Sequence, residues 1–227
     1  MVDATGPVTA EQIALDLTEA VHEHRVLPGM KLAEDEVGES FGVGRTIVRQ
    51  ALRILAQDGL VTLERNRGAF VAKPSVREAR EVFEARALLE PSTARAAAER
   101  IGPVEIAALE AHIAAEHAAL ARGDAGRALA LSGAFHVEIA RIADQATILA
   151  FIRQLIARSS LVIAVYWRRR SALCESHAHH ALLAALRAGD GAEASERMKG
   201  HLVDLLSQLD LRDHQQAPQS LREALGR

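Results

Sequence analysis

The stretch Phe41 to Val61, FGVGRTIVRQALRILAQDGLV, constrains this chain more than any other. A Gly-containing turn, Phe41-Gly42-Val43-Gly44, opens it. Val48, Ala51, Leu52 and Leu55 then recur at i, i+3, i+4 and i+7, the pattern of a half-buried helix. The opposite face carries Arg45, Arg49 and Arg53. Taken alone, such a face is either a solvated charged surface or, after a tight turn and a short preceding helix, a reader of the DNA major groove. The flanking segments decide between the two.

Upstream, Thr9 is placed to cap a helix whose Ile13, Leu17 and Val21 recur at four-residue spacing. Val26-Leu27-Pro28-Gly29 ends it in a turn, and a short acidic helix follows over Glu34 to Ser40. Downstream, Asp58-Gly59 is a stop signal, Leu60 to Glu64 reads as a strand, Arg65-Asn66-Arg67-Gly68 as a turn and Ala69 to Ala72 as a returning strand. Three helices and a hairpin with a basic tip form the order of a winged helix-turn-helix. Arg65 and Arg67 are candidates for phosphate or minor-groove contact, the alternative being that they only solubilise the hairpin. The net charge of -3 does not advertise nucleic-acid binding, but six basic residues face two acids between Arg45 and Lys73. A local basic surface can sit on an acidic protein.

Beyond the short linker Lys73-Pro74-Ser75 the periodicity is helical, with helices expected near 76–100, 103–122, 125–143, 146–168, 172–188 and 191–212. Pro91 should kink the first of them. The expected fold is mainly α, a winged helix-turn-helix with a small β-hairpin followed by an antiparallel helical bundle. Residues 1–8 form a tail, 9–73 the DNA-binding domain, 74–212 the effector-binding and dimerisation domain, and 213–227 a polar C-terminal tail. Scarce aromatics, 3% of residues, suit this class better than a sheet-rich fold. Cys174, the lone cysteine, permits no intrachain disulfide and reads as a buried thiol rather than a nucleophile. The chain shows no signal peptide, and the apolar run Leu161 to Trp167 is far short of the ~20 residues a bilayer needs. A soluble cytoplasmic protein is expected.

The histidines are unevenly placed. Antiparallel helices joined at Gly189-Asp190 bring His179 and His201 to one level, and His136 can supply a third imidazole from a facing helix. Neutral imidazoles suit zinc or nickel, although spacing across separate helices is a weak motif. His22, His24, His112 and His117 read as surface residues.

The segments LPGMKLAEDEV, FGVGRTIVRQALRILAQDGLV and RNRGAFV resemble the winged-helix domain of GntR-type bacterial transcription regulators. FEARALLEPSTARAAAER, AFHVEIARIA and HHALLAALRAGD, with His201, resemble the all-helical FCD ligand-binding domain of the FadR subfamily. The resemblance implies base and phosphate contacts at Arg45, Thr46 and Arg49, with Gly68 at the wing tip; Arg53, drifted around the helix, suits backbone phosphate. Gly44 stands where Ser is common, Ile47 where many relatives have Pro or Thr, and Asp35 where some carry a basic DNA contact. Many members hold a divalent metal with one Asp and three His. That pattern falls on His136, His179 and His201, with Ser132 at the usual Asp position. Arg86 resembles a position facing the effector pocket, where a guanidinium would clamp a small organic acid; the alternative is a pair with Glu90 one turn on. Tyr166 is a further effector candidate, with packing as its alternative. The implied function is a homodimeric regulator, more often a repressor, that reads a pseudo-palindromic DNA operator. Its rivals are a metal-free regulator binding an acyl chain and a metalloenzyme built on the histidines.

Overall fold

The computed structural model describes residues 7–167 and 173–212, and side chains in the second segment from 177 onward. The expectations for the Cys174 thiol and the tail 213–227 lie outside these residues and side chains. The chain opens with α1 (Ala10–His22), whose N-cap Thr9 accepts a hydrogen bond from the Gln12 N–H at 3.2 Å. The pair α2 (Glu34–Phe41) and α3 (Arg45–Gln57) follows a two-residue strand, β1 (Lys31–Leu32). Gly42, at φ +66°, lets the chain reverse between the helices, a conformation other residues adopt at a cost. Gly38 lies beneath that turn, where a Cβ would stand 3.0 Å from the Val43 carbonyl oxygen.

The wing is β2 (Val61–Glu64) and β3 (Gly68–Val71), antiparallel with Glu64 opposite Gly68. It gains a third strand that was not expected. β1 pairs Lys31 with Phe70 and Leu32 with Ala69, giving the order β1-β3-β2. Two residues are too few to show a period of two. Val48, Ala51, Leu52 and Leu55 of α3 pack with Ile13, Leu60 and Val71 in one core, and Ala157 and Leu161 from the bundle join them.

The bundle consists of α4 (Val76–Ala98), α5 (Pro103–Ala121), α6 (Ala125–Ile142), α7 (Ala146–Tyr166), α8 (Leu173–Arg187) and α9 (Gly191–Ser207). Ser75 and Glu78 form a reciprocal capping box that starts α4 directly after the linker. Pro91 sits inside α4 without ending it. The last helix stops at Ser207, short of the expected 212. Leu209 bridges to Trp167 and the Asp210 N–H donates to the Tyr166 carbonyl at 2.8 Å, so the chain folds over the end of α7. By length and composition α7 is also apolar enough to cross a membrane, which the short run Leu161 to Trp167 did not indicate. It packs against α1, α4 and α6.

Candidate functional site

Two regions bring chemistry-bearing residues together. The first is the exposed face of α3 and the wing, where Arg45, Thr46, Arg49, Arg53, Arg65, Arg67 and Gly68 are all exposed. The apolar stripe of α3 is fully used in the core, which forces its arginines outward. They are not all unengaged. Arg45 donates to both oxygens of Asp35 at 2.8 and 3.1 Å, and the Arg49 Nε donates to Glu34 at 2.9 Å. Arg67 pairs with Glu64 and lies 5.4 Å from the Phe70 ring centre. Gly44 caps α3 with no side-chain hydrogen bond, and its carbonyl accepts from the Ile47 N–H at 3.1 Å. These carboxylate partners escaped sequence reasoning because they sit ten and fifteen residues away.

The second region lies inside the bundle. His136 from α6, His179 from α8 and His201 from α9 are buried, and one ring nitrogen of each lies within 4.8 Å of the others. Two are held from behind by carboxylates that the sequence reading did not place beside a histidine. Glu90 on α4 meets His136 Nδ1 at 2.7 Å, and Glu116 on α5 meets His179 Nδ1 at 3.0 Å. Burial would raise the Glu90 carboxyl, but Arg86 and His136 outweigh it and hold the group down at about 2. An ionised Glu90 only accepts, so His136 Nδ1 carries the proton and its Nε2 offers a lone pair. His201 Nε2 lies 3.2 Å from that nitrogen, and His179 Nε2 is buried with no hydrogen-bond partner.

Burial lowers the pKa of all three imidazoles, His179 to about 3 and His201 well below its ordinary value. They are therefore neutral near pH 7 and able to donate lone pairs. Burial pushes Glu116 up to about 7. Ligand nitrogens at ~2.1 Å from a tetrahedral zinc stand about 3.4 Å apart, close to the His136–His201 separation. Carboxylate on Nδ1 with Nε2 turned inward is the arrangement that orients metal-binding histidines. The residues present fit a divalent cation.

Arg86 is buried and its Nε donates to Glu90 at 2.5 Å, with further bonds to Glu90 and to Ser159 at 3.3 and 3.2 Å. The pair with Glu90 is therefore present, and Arg86 also lines a cavity of about 20 Å³ beside Ser132 and His136. Ser132 stands in this wall one turn before His136. Tyr166 does not line this cavity. Its hydroxyl donates to the Pro74 carbonyl at 2.9 Å, because the end of α7 runs past the cavity to the linker and the half-buried phenol finds its acceptor there. The surface reading of four histidines also needs correction. His22 and His24 pack between the winged helix and the bundle, and the Nε2 atoms of His112 and His117 are buried.

Comparison with known proteins joins the two regions. Residues 9–71 match the family described as bacterial regulatory proteins, gntR family, and residues 81–204 match the FCD domain. The chain belongs to the GntR family of bacterial transcription regulators. It is a DNA-binding regulator, not an enzyme. This GntR regulator is 29% identical to the Nta operon transcriptional regulator of Aminobacter aminovorans, over 74% of its own length and 79% of the relative's. It is 32% identical to the HTH-type transcriptional repressor RspR of Escherichia coli over 63% of its own length, and spans 62% of that relative. Among solved structures, Escherichia coli McbR/YncC superposes with a TM-score of 0.78 at 22% identity, covering 92% of this chain and 99% of the other. A GntR transcriptional regulator from Rhodococcus sp. RHA1 gives 0.77 at 24%, covering 88% and 96%. These two likenesses concern the fold alone.

Proposed function

We propose that this GntR regulator is a cytoplasmic homodimeric repressor whose operator affinity is modulated by a small organic acid bound in the helical bundle beside a divalent metal. Residues 9–73 are the DNA-reading domain in this proposal and 74–212 the effector-binding and dimerisation domain. The observation that carries the effector side is the set of three buried neutral imidazoles, two backed by carboxylates, next to the Arg86 guanidinium. His136, His179 and His201 would hold the metal, which when bound supplies a positive centre for one carboxylate oxygen. Arg86 keeps Glu90 ionised and thereby holds His136 in the ligating tautomer. The acyl-chain alternative needs an elongated apolar tunnel, whereas the wall here carries Arg86, Ser132 and His136.

On the DNA side, Arg45 and Arg49 are the principal contacts, with Thr46, Arg53, Arg65, Arg67 and Gly68 against the backbone or the minor groove. Two copies related by a two-fold axis present two such readers to a pseudo-palindrome. Arg45→Ala combined with Arg49→Ala should abolish specific gel-shift binding to a fragment selected by the wild-type protein, with the fold kept by circular dichroism. Unaltered binding would sink the DNA assignment. Elemental analysis of protein purified without chelator should find close to one zinc or nickel per chain, and none in a His136→Ala, His201→Ala double variant. Arg86→Ala is a poor probe of the effector, because it strands Glu90 in the core at a cost of roughly 3–5 kcal/mol.

A further inference from the structure

His22 ends α1 of the winged helix, yet it lines the bundle cavity together with Arg86, Ser132, His136 and Ser159. Its Nε2 is buried and has no hydrogen-bond partner. Leaving such an atom unpaired is costly, so a buried imidazole nitrogen on a residue that lines a cavity, otherwise largely apolar but carrying Arg86, Ser132, His136 and Ser159, is a position for a ligand atom. His22 does not belong to the group of nitrogens among the described residues that can share a metal ion.

The cavity, at about 20 Å³, holds little more than one water, so even a short acid must displace part of the wall. The polar contacts that join the end of α1 to that wall are part-buried or exposed. The Ser160 hydroxyl donates to the His22 carbonyl at 3.4 Å, His24 Nε2 meets the Ser160 carbonyl at 3.1 Å, and Arg127 reaches Glu19 and Glu23 through part-exposed pairs. The close seat of this segment depends on Gly126, where a Cβ would lie 2.0 Å from the Glu23 carbonyl oxygen.

We propose that His22 is an effector-binding residue supplied by the DNA-reading half of the chain. Its Nε2–H donates to a carboxylate oxygen of a small acid that Arg86 and the metal site face from the other side. The ligand is thereby held between the two halves, and binding it repositions α1 and the α3 reader packed on α1. This inference rests on the reading of the cavity given above.

The test is calorimetric titration of acetate and of lactate into the zinc-loaded full chain, as wild type, His22→Ala and His22→Gln, with histidine side-chain nitrogen spectra recorded alongside. The expected result is that His22→Ala weakens binding about tenfold or more, as loss of a hydrogen bond to a charged group does. His22→Gln, which keeps an N–H near the Nε2 position, should recover part of the loss, and the wild-type His22 Nε2 resonance should shift on adding the acid. Equal binding by wild type and His22→Ala overturns the inference while leaving the cavity reading intact. Equal weakening by both variants with an unshifted resonance makes His22 a packing residue and overturns it too. If neither acid binds the wild type, the cavity reading fails and this inference fails with it.

Discussion

Arg45 meets Asp35 at an exposed site, with both side chains about two-thirds accessible, so the pair adds little to stability. Its larger effect concerns DNA, since a carboxylate beside the reader competes with phosphate for the same guanidinium. Asp35→Asn should therefore tighten binding to DNA of any sequence by a few fold, with no stability change beyond about 0.5 kcal/mol. Fluorescence anisotropy against salt concentration measures this, and unchanged or weaker binding contradicts it. The buried histidines yield a pH prediction of definite sign. His136, His179 and His201 have folded pKa values below their unfolded ones, so their contribution is present above about 6.5 and is lost as pH falls. His22 and His24 act in the same direction. Glu116 acts oppositely. Raised to about 7, its contribution is full below its unfolded value of 4.5 and is lost as pH rises through 7. With these imidazoles against one carboxyl, acidification from pH 6.5 to 5 should destabilise the metal-free protein. Urea unfolding at the two pH values checks this, and equal or greater stability at pH 5 would refute it.

The elements differ in how openly their sequences announce them. The faces of α3 follow from periodicity, because Val48, Ala51, Leu52 and Leu55 enter the core and every arginine is left outside. Capping by Thr9 and by the Ser75–Glu78 box is equally local. β1 is invisible without its partner β3, and the end of α9 is set by Trp167 and Tyr166, some forty residues earlier. The junction of α1 with α6 is decided by packing as well. Gly126 lies in a helix whose own geometry tolerates any residue, but the Glu23 backbone fills the space a side chain would need. Gly126→Ala should cost about 1–3 kcal/mol of stability, despite the better helix propensity of alanine, and should loosen the seat of α1. Thermal unfolding together with hydrogen exchange at residues 19–25 measures both, and a stabilised protein would show that the close approach is not maintained.

One chain leaves apolar surface exposed that the proposed homodimer would cover. Leu88 on α4 is 79% exposed and Phe151 on α7 is 53% exposed, while only 44% of the apolar window of α7 is buried within the chain. Leu89, Phe151 and Leu155 share a shallow depression between these helices. A second copy related by a two-fold axis suits this face, since the same patch then covers itself. Leu88→Glu with Phe151→Glu should convert a dimer to a monomer in analytical ultracentrifugation without unfolding the bundle. A variant that remains dimeric places the interface elsewhere.

Turn glycines, helix caps, the two faces of α3 and the turn of the hairpin rest on local chemistry, because each depends on residues within about one helical turn or one hairpin. Those features suffice to recognise a winged helix followed by a helical bundle, and to pick out Arg45, Arg49 and the three histidines as candidates. What they leave open depends on groups far apart in the chain. Glu90 and Glu116 stand behind two imidazoles from other helices, Asp35 and Glu34 occupy the reader arginines, and Tyr166 turns to the linker instead of the cavity. His22 carries no local sign of burial, since its setting is made by α6 and α7 more than a hundred residues later. Charge, tautomer and accessibility are properties of a neighbourhood, and in this protein the neighbourhood forms only when distant helices pack.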